Sequence, residues 1–194
     1  MPNIRDSRIL IIATNGVEQS ELMKPRDMLR KAGATVDVAS PDGKPIRGWN
    51  MKDWGQTIEA DMKIADADPS RYDALVIPGG QINPDLLRVN PDAMKLVRAF
   101  VSDGDKVVAA VCHGPWLLVE AGALKGREAT SYHSIKTDVK NAGARWVDRE
   151  MVVSDGIVTS RNPGDLEAFT KGIIQELEKG GHKRKSKAPE AAEA

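Results

Sequence analysis

The stretch from Lys106 to Gly122 constrains this chain most. Val107 to Val111 is an unbroken apolar run rich in valine, with no polar alternation. Such a run suits a short strand covered on both faces of a parallel sheet. Gly114 then allows a sharp turn, Pro115 is preset for the first position of a helix, and Gly122 stands where that helix should close. Cys112 falls in the turn, with the small residues Ala110 and Gly114 two positions to either side, which is the pattern of a nucleophile elbow with Cys in place of Ser. The helix start aims N–H groups back at the turn and favours the thiolate, so the thiol is expected to titrate at about 3.5–7.5 rather than ~8.5. A Cys among apolar residues is otherwise an inert small hydrophobe. An inert Cys, however, has no need of the adjoining His113, the Gly-Pro turn and the helix start. His113 reads as part of this reactive pattern or as a plain turn residue.

Lysine plus arginine number 28 and aspartate plus glutamate number 28, giving a formal net charge of zero. No net field draws such a chain onto nucleic acid or anionic lipid, so neither dedicated nucleic-acid binding nor a membrane partner is expected. The one Cys excludes an internal disulfide, and Met1 to Leu10 lacks the pattern of a secretion signal, which points to a reducing, cytoplasmic setting. The 194 residues suit a single α/β domain over 1–179. The remainder, 180–194, has little apolar content and reads as a disordered charged tail.

Read in order, Arg8 to Thr14 is a first buried strand broken by Asn15-Gly16. Loops at the carboxyl ends of such strands build the binding crevice, which makes Glu18 and Glu21 candidates by position. Glu21 is better explained as a charge complement at a helix N-terminus, whereas Glu18 stays open. A helix from Ser20 to Lys31 turns Leu22, Met28, Leu29 and Ala32 to the sheet, with Pro25 as a kink or as the start of its main body. Thr35 to Ser40 is a second strand, and residues 44–66 read as short strands or a hairpin covering a sheet edge. Tyr72 to Pro78 is a third strand ending in Gly79-Gly80, whose backbone N–H groups can approach a ligand and form an oxyanion hole. Helices start at Asn83-Pro84-Asp85 and Asn90-Pro91-Asp92. Beyond the elbow, Thr130 to His133 reads as a strand end, Asp155-Gly156 as a hairpin turn, and Asn162 to Asp165 as the start of the last helix. His133 stands either at a pocket mouth or as a structural strand-end residue. No metal-ligand spacing or phosphate loop is present, and no metal or cofactor is expected.

Four segments together carry a resemblance: Ala74-Leu75-Val76-Ile77-Pro78-Gly79-Gly80, Val111-Cys112-His113-Gly114-Pro115, Gly126-x-x-Ala129-Thr130-Ser131-Tyr132, and Arg161-Asn162-Pro163-Gly164-Asp165-Leu166. From Ile9 to Leu177 the chain resembles the PfpI/ThiJ superfamily, in its intracellular protease I or general stress protein branch. The resemblance implies a flavodoxin-like α/β sandwich, a mostly parallel sheet with helices on both faces, related to class I glutamine amidotransferase domains and assembled as a homodimer or larger homo-oligomer. It implies that Cys112 is the nucleophile, that Glu18 hydrogen-bonds the sulfur, and that His113 is base or orienter. It further implies that Asp85, one residue displaced from the family's Glu, reaches in from an adjacent subunit. Glutamine-dependent amide transfer is not expected, because no distal His-x-Glu pair follows the nucleophile.

The leading expectation is a cofactor-free, stress-response enzyme for reactive dicarbonyls or early glycation adducts on proteins, of the glyoxalase III or protein deglycase type. In it Cys112 attacks the aldehyde carbon, while Gly79, Gly80 and Gly114 line the oxyanion and substrate site. The alternatives are a cysteine peptidase using the same thiolate, and a redox-sensing stress protein or holding chaperone in which that thiol oxidises.

Overall fold

The computed structural model describes residues 3–181, so the tail expected over 180–194 lies outside the described residues from position 182 onward. The elements in chain order are β1 (Arg8–Ile12), β2 (Val17–Glu18), α1 (Gln19–Ala32), β3 (Thr35–Ser40), β4 (Ile46–Asn50), β5 (Asp53–Ile58) and β6 (Met62–Lys63). They continue with β7 (Ala74–Ile77), α2 (Ile82–Arg88), α3 (Pro91–Ser102), β8 (Val107–Val111), α4 (Pro115–Glu120) and β9 (Glu128–Ala129). Last come α5 (Lys136–Asn141), β10 (Arg145–Trp146), β11 (Val152–Ser154), β12 (Ile157–Ser160) and α6 (Leu166–Lys179).

Strand alternation builds the core. The main sheet runs β11-β12-β8-β7-β1-β3-β6, parallel throughout except for β11 against β12. Ile9, Ile11, Val76, Ala109 and Val111 pack on one face beneath α1 and α6, where Leu22, Leu29, Phe169 and Ile173 meet them. Leu10, Ile12, Leu75, Ile77, Val108 and Ala110 pack on the other, against Val97 and Phe100 of α3, Leu87 of α2 and Leu117 of α4. The result is the expected α/β sandwich with helices on both faces. The apolar runs lack polar alternation because the central strands have no solvent face.

Three local expectations change. The 44–66 segment does form a hairpin, but β4 pairs in parallel with β2, making a separate three-stranded sheet beside the carboxyl end of β1. The main-sheet edge goes instead to the two-residue β6. On α1 the buried stripe is Glu21, Leu22, Pro25 and Leu29, and Met23 packs against the core while Met28 is half-buried. Pro25 sits within that helix. His133 begins a short 3-10 turn rather than ending a strand, because β9 already stops at Ala129. The Asp155-Gly156 turn is as expected, with φ of 47° and 75°, and it joins the antiparallel β11 and β12. Among the described residues no helix is long and apolar enough to cross a membrane.

Leu75 is fully buried in the centre of this sheet. Leu75→Ala is expected to lower unfolding free energy by about 2–5 kcal/mol in urea titrations. Lys140→Ala, on the exposed side of α5, should stay within about 0.5 kcal/mol of the parent.

Candidate functional site

The elbow is built as the chain pattern requires. Cys112 has φ of 62°, a left-handed backbone that a non-glycine residue adopts only when its surroundings impose it. They do so from both sides: its N–H donates to Ser160 O at 3.0 Å, and its carbonyl accepts from Tyr132 N–H at 2.8 Å. Glycine at 114 is a packing necessity, since an added Cβ would lie 2.5 Å from Ile77 O. At Gly79 a Cβ would come within 2.6 Å of both Cys112 Cβ and Glu21 Oε2.

The carboxyl group at the sulfur is Glu21, and this corrects the expectation for Glu18. Glu21 is fully buried, accepts the Gly79 N–H at 2.8 Å through Oε2, and hydrogen-bonds Cys112. Glu18 is turned away. Its carboxylate accepts from Ser20 Oγ at 3.0 Å and from Met51 N–H at 3.2 Å, at the tip of the β4–β5 hairpin, while its own N–H donates to Gly79 O at 3.3 Å. The spacing explains the exchange. Glu21, Pro25 and Leu29 fall at i, i+4 and i+8 on the sheet-facing side of α1, so a carboxylate in a buried stripe was the missed signal.

His113 Nδ1 lies 3.2 Å from Cys112 Sγ, and its Nε2 lies 3.1 Å from Ser134 Oγ. Its ring stacks on Tyr132 at 4.8 Å between centroids and meets Trp116 edge-on at 5.2 Å, and Tyr132 in turn contacts His133 at 4.4 Å. Ser134 and Tyr132 are thus neighbours of the site that sequence reasoning missed. Asp85, exposed in the first turn of α2, does not join them within this chain. Nor do all three glycines offer a free donor. Gly79 N–H is spent on Glu21 and Gly114 N–H donates to Val111 O at 2.8 Å, because both serve the turn itself. Gly80 N–H, at φ of 79°, faces the sulfur and the Glu21 carboxyl together. Among the described residues no group of His, Cys, Asp or Glu is placed to hold a metal ion.

Burial governs the protons. It pushes Glu21 up from 4.5 to about 8, against the opposing pull of its hydrogen bonds to Cys112 and Gly79. Burial, and then the neighbouring His133, push His113 down from 6.5 to about 4. Burial and the Glu21 carboxyl also push the Cys112 thiol up, against the expectation of an acidic thiol. The six-residue α4 starts three positions further on, and its dipole does not offset a residue only 6% exposed. At neutral pH the site therefore holds a protonated Glu21, a neutral His113 and a thiol. With its proton on Nε2, shared with Ser134, His113 presents a lone pair at Nδ1 to the S–H. The arrangement can take the thiol proton in step with attack on a substrate and meet the developing charge with the Glu21 O–H and the Gly80 N–H.

Comparison with known proteins shows the family and the fold. The model of the DJ-1/PfpI family matches residues 7–176. A deglycase of Thermococcus kodakarensis is 41% identical over 170 residues, covering 88% of this chain and 99% of that protein. General stress protein 18 of Bacillus subtilis is 41% identical over 174 residues, covering 89% and 98%. Among solved structures, a two-domain protein of Anabaena variabilis with DJ-1/ThiJ/PfpI-like and ferritin-like domains superposes with a TM-score of 0.83 at 36% identity. That match covers 89% of this chain and 48% of the Anabaena chain.

The raised Glu21 and lowered His113 give opposite linkages. A carboxyl that titrates at about 8 when folded and 4.5 when unfolded keeps its proton in the native state alone, so its contribution is full below pH 4.5 and is lost as pH rises through 8. His113, titrating at about 4 when folded against 6.5, favours the native state as pH rises across that interval. The two oppose each other between pH 4.5 and 6.5, and above that Glu21 acts alone. Unfolding free energy measured in urea is expected to fall from pH 6.5 to 8, and Glu21→Gln should flatten that fall while Glu18→Gln leaves it in place.

Proposed function

As the chain belongs to the DJ-1/PfpI family, we propose that it is a cysteine-dependent enzyme acting on reactive dicarbonyls or the early glycation adducts they form on proteins, a deglycase or glyoxalase III. The supporting observation is the placement of Cys112 Sγ at the elbow among His113 Nδ1, the Glu21 carboxyl and the Gly80 N–H. With Cys112 only 6% exposed, a small aldehyde has easier access than a long peptide, which ranks this reading above a peptidase.

The chemistry runs as follows for methylglyoxal. His113 Nδ1 takes the thiol proton and the sulfur attacks the aldehyde carbon. The C–S bond forms, the carbonyl π pair moves to oxygen, and that oxygen is met by nearby donors and protonated to a hemithioacetal. A proton leaves the former aldehyde carbon to give an enediol, and one returns to the neighbouring carbon, leaving a lactoyl thioester. Water then cleaves the C–S bond, releasing lactate and restoring the thiol. Glu21 and His113 are the groups at hand to carry these protons.

A homo-oligomer fits this reading. Ile82 and Leu86 on α2, and Val89 just past its end, stand exposed, and Asp85 lies among them. Pairing across these residues would carry Asp85 toward a neighbour's site, where Ser134 already attends His113 Nε2.

The test is lactate formation from methylglyoxal without glutathione, in buffer free of amines and added thiols. The native protein is expected to form lactate and Cys112→Ser to form none. Equal lactate from both would remove the proposal.

A further inference from the structure

We propose that Asn83 is a positioning residue for Cys112, its carboxamide locking the Gly79–Gly80 peptide so that the Gly80 N–H is aimed at the sulfur. Asn83 is fully buried, and its side chain makes three bonds that tie the start of α2 to two loops. Oδ1 accepts the Thr14 N–H at 2.8 Å, and Nδ2 donates to Pro78 O at 2.9 Å and to Gly79 O at 3.2 Å. The Glu18 N–H reaches the same Gly79 carbonyl at 3.3 Å.

The consequence follows from peptide geometry. In a trans amide the C=O and N–H point in opposite directions, so two donors holding Gly79 O on one side direct the N–H of residue 80 to the other. That other side holds the Cys112 sulfur and the Glu21 carboxyl, the two groups whose charged forms the Gly80 N–H favours. The peptide needs such a lock because neither flanking residue has a side chain to bias its rotation. Side chains there are excluded in turn: a Cβ at Gly79 would strike Cys112 Cβ and Glu21, and one at Gly80 would sit 2.6 Å from Gly16 O. The proton inventory around the sulfur is Glu21 beside it, His113 at Nδ1, and Glu18 and His133 acting on those two. None of these is Asn83, so removing its carboxamide alters the donor's aim without altering any charge.

The inference rests on Cys112 being the nucleophile of the proposed function, but its test does not depend on the substrate. Cys112 is the one cysteine of the chain, so the rate of iodoacetamide alkylation as a function of pH reports on it alone. Asn83→Ser and Asn83→Ala are compared with the native protein and with Val97→Ala, a cavity variant in α3 that matches the loss of stability away from the site. Misdirecting one donor to an anion should slow alkylation about tenfold at each pH where the thiol still holds its proton. Val97→Ala should titrate as the native protein does despite its lower Tm. In the lactate assay kcat should fall with KM held within about twofold, as for a group that acts only once charge develops. Alkylation profiles that overlay the native one, in whichever Asn83 variant folds, would overturn the proposal and leave Asn83 a structural tie. Slowed alkylation in the Asn83 variants, together with no lactate from the native protein, would sustain the positioning role and remove the dicarbonyl reading instead.

Discussion

A left-handed backbone at a residue with a side chain is unfavourable in isolation, and at Cys112 it persists because neighbours on both sides leave the chain no alternative. The Ser160 carbonyl and the Tyr132 N–H hold the peptide groups on either side of its Cα. Gly114 and Gly79 let strand and loop backbones close to distances that any Cβ would forbid. A parallel sheet with no solvent face supplies the rigidity behind this, since β7, β8 and β12 are fixed by side chains packed above and below. The strain at one residue is thus borne by the cohesion of the whole sheet.

That same enclosure decides the electrostatics. Burial disfavours an anion at Glu21 and at Cys112 alike, and disfavours a cation at His113, so the resting cluster is neutral in all three members. Charge arises there only when a proton is passed between groups already in contact. A neutral resting cluster has a chemical logic: oriented donors await an anion without having to shed water first.

Much of the fold was legible because the signals were redundant. An apolar run, a Gly-Pro pair and a closing glycine all located β8, the elbow and α4, and a permissive turn dipeptide located the β11–β12 hairpin. Legibility failed where the answer lay in three dimensions. Glu18 and Glu21 are three residues apart and chemically identical, and what separates them is that Glu21 lies in the first turn of α1, facing the sulfur, while Glu18 ends β2 and faces the hairpin. The helical stripe contained that information, but a carboxylate in a buried stripe runs against the usual expectation for charge. Ser134 and Asn83 were opaque for a different reason, because a small polar residue at a turn shows nothing of its partner until the loops are brought together. The thiol's acidity was misjudged because the helix start was visible in the chain and the depth of burial was not.

The bonds that hold Cys112 impose an order on assembly. Its partners Tyr132 and Ser160 both lie downstream of β8, and β12 can pair with β8 only after α4, β9, α5 and β10 have been made. A nascent chain that has completed β8 already carries the cysteine, but without those two partners its backbone has no reason to enter the left-handed region. From its own synthesis until the last strands dock, the cysteine therefore lacks the two bonds that hold its backbone, and its special surroundings belong to the completed sheet alone.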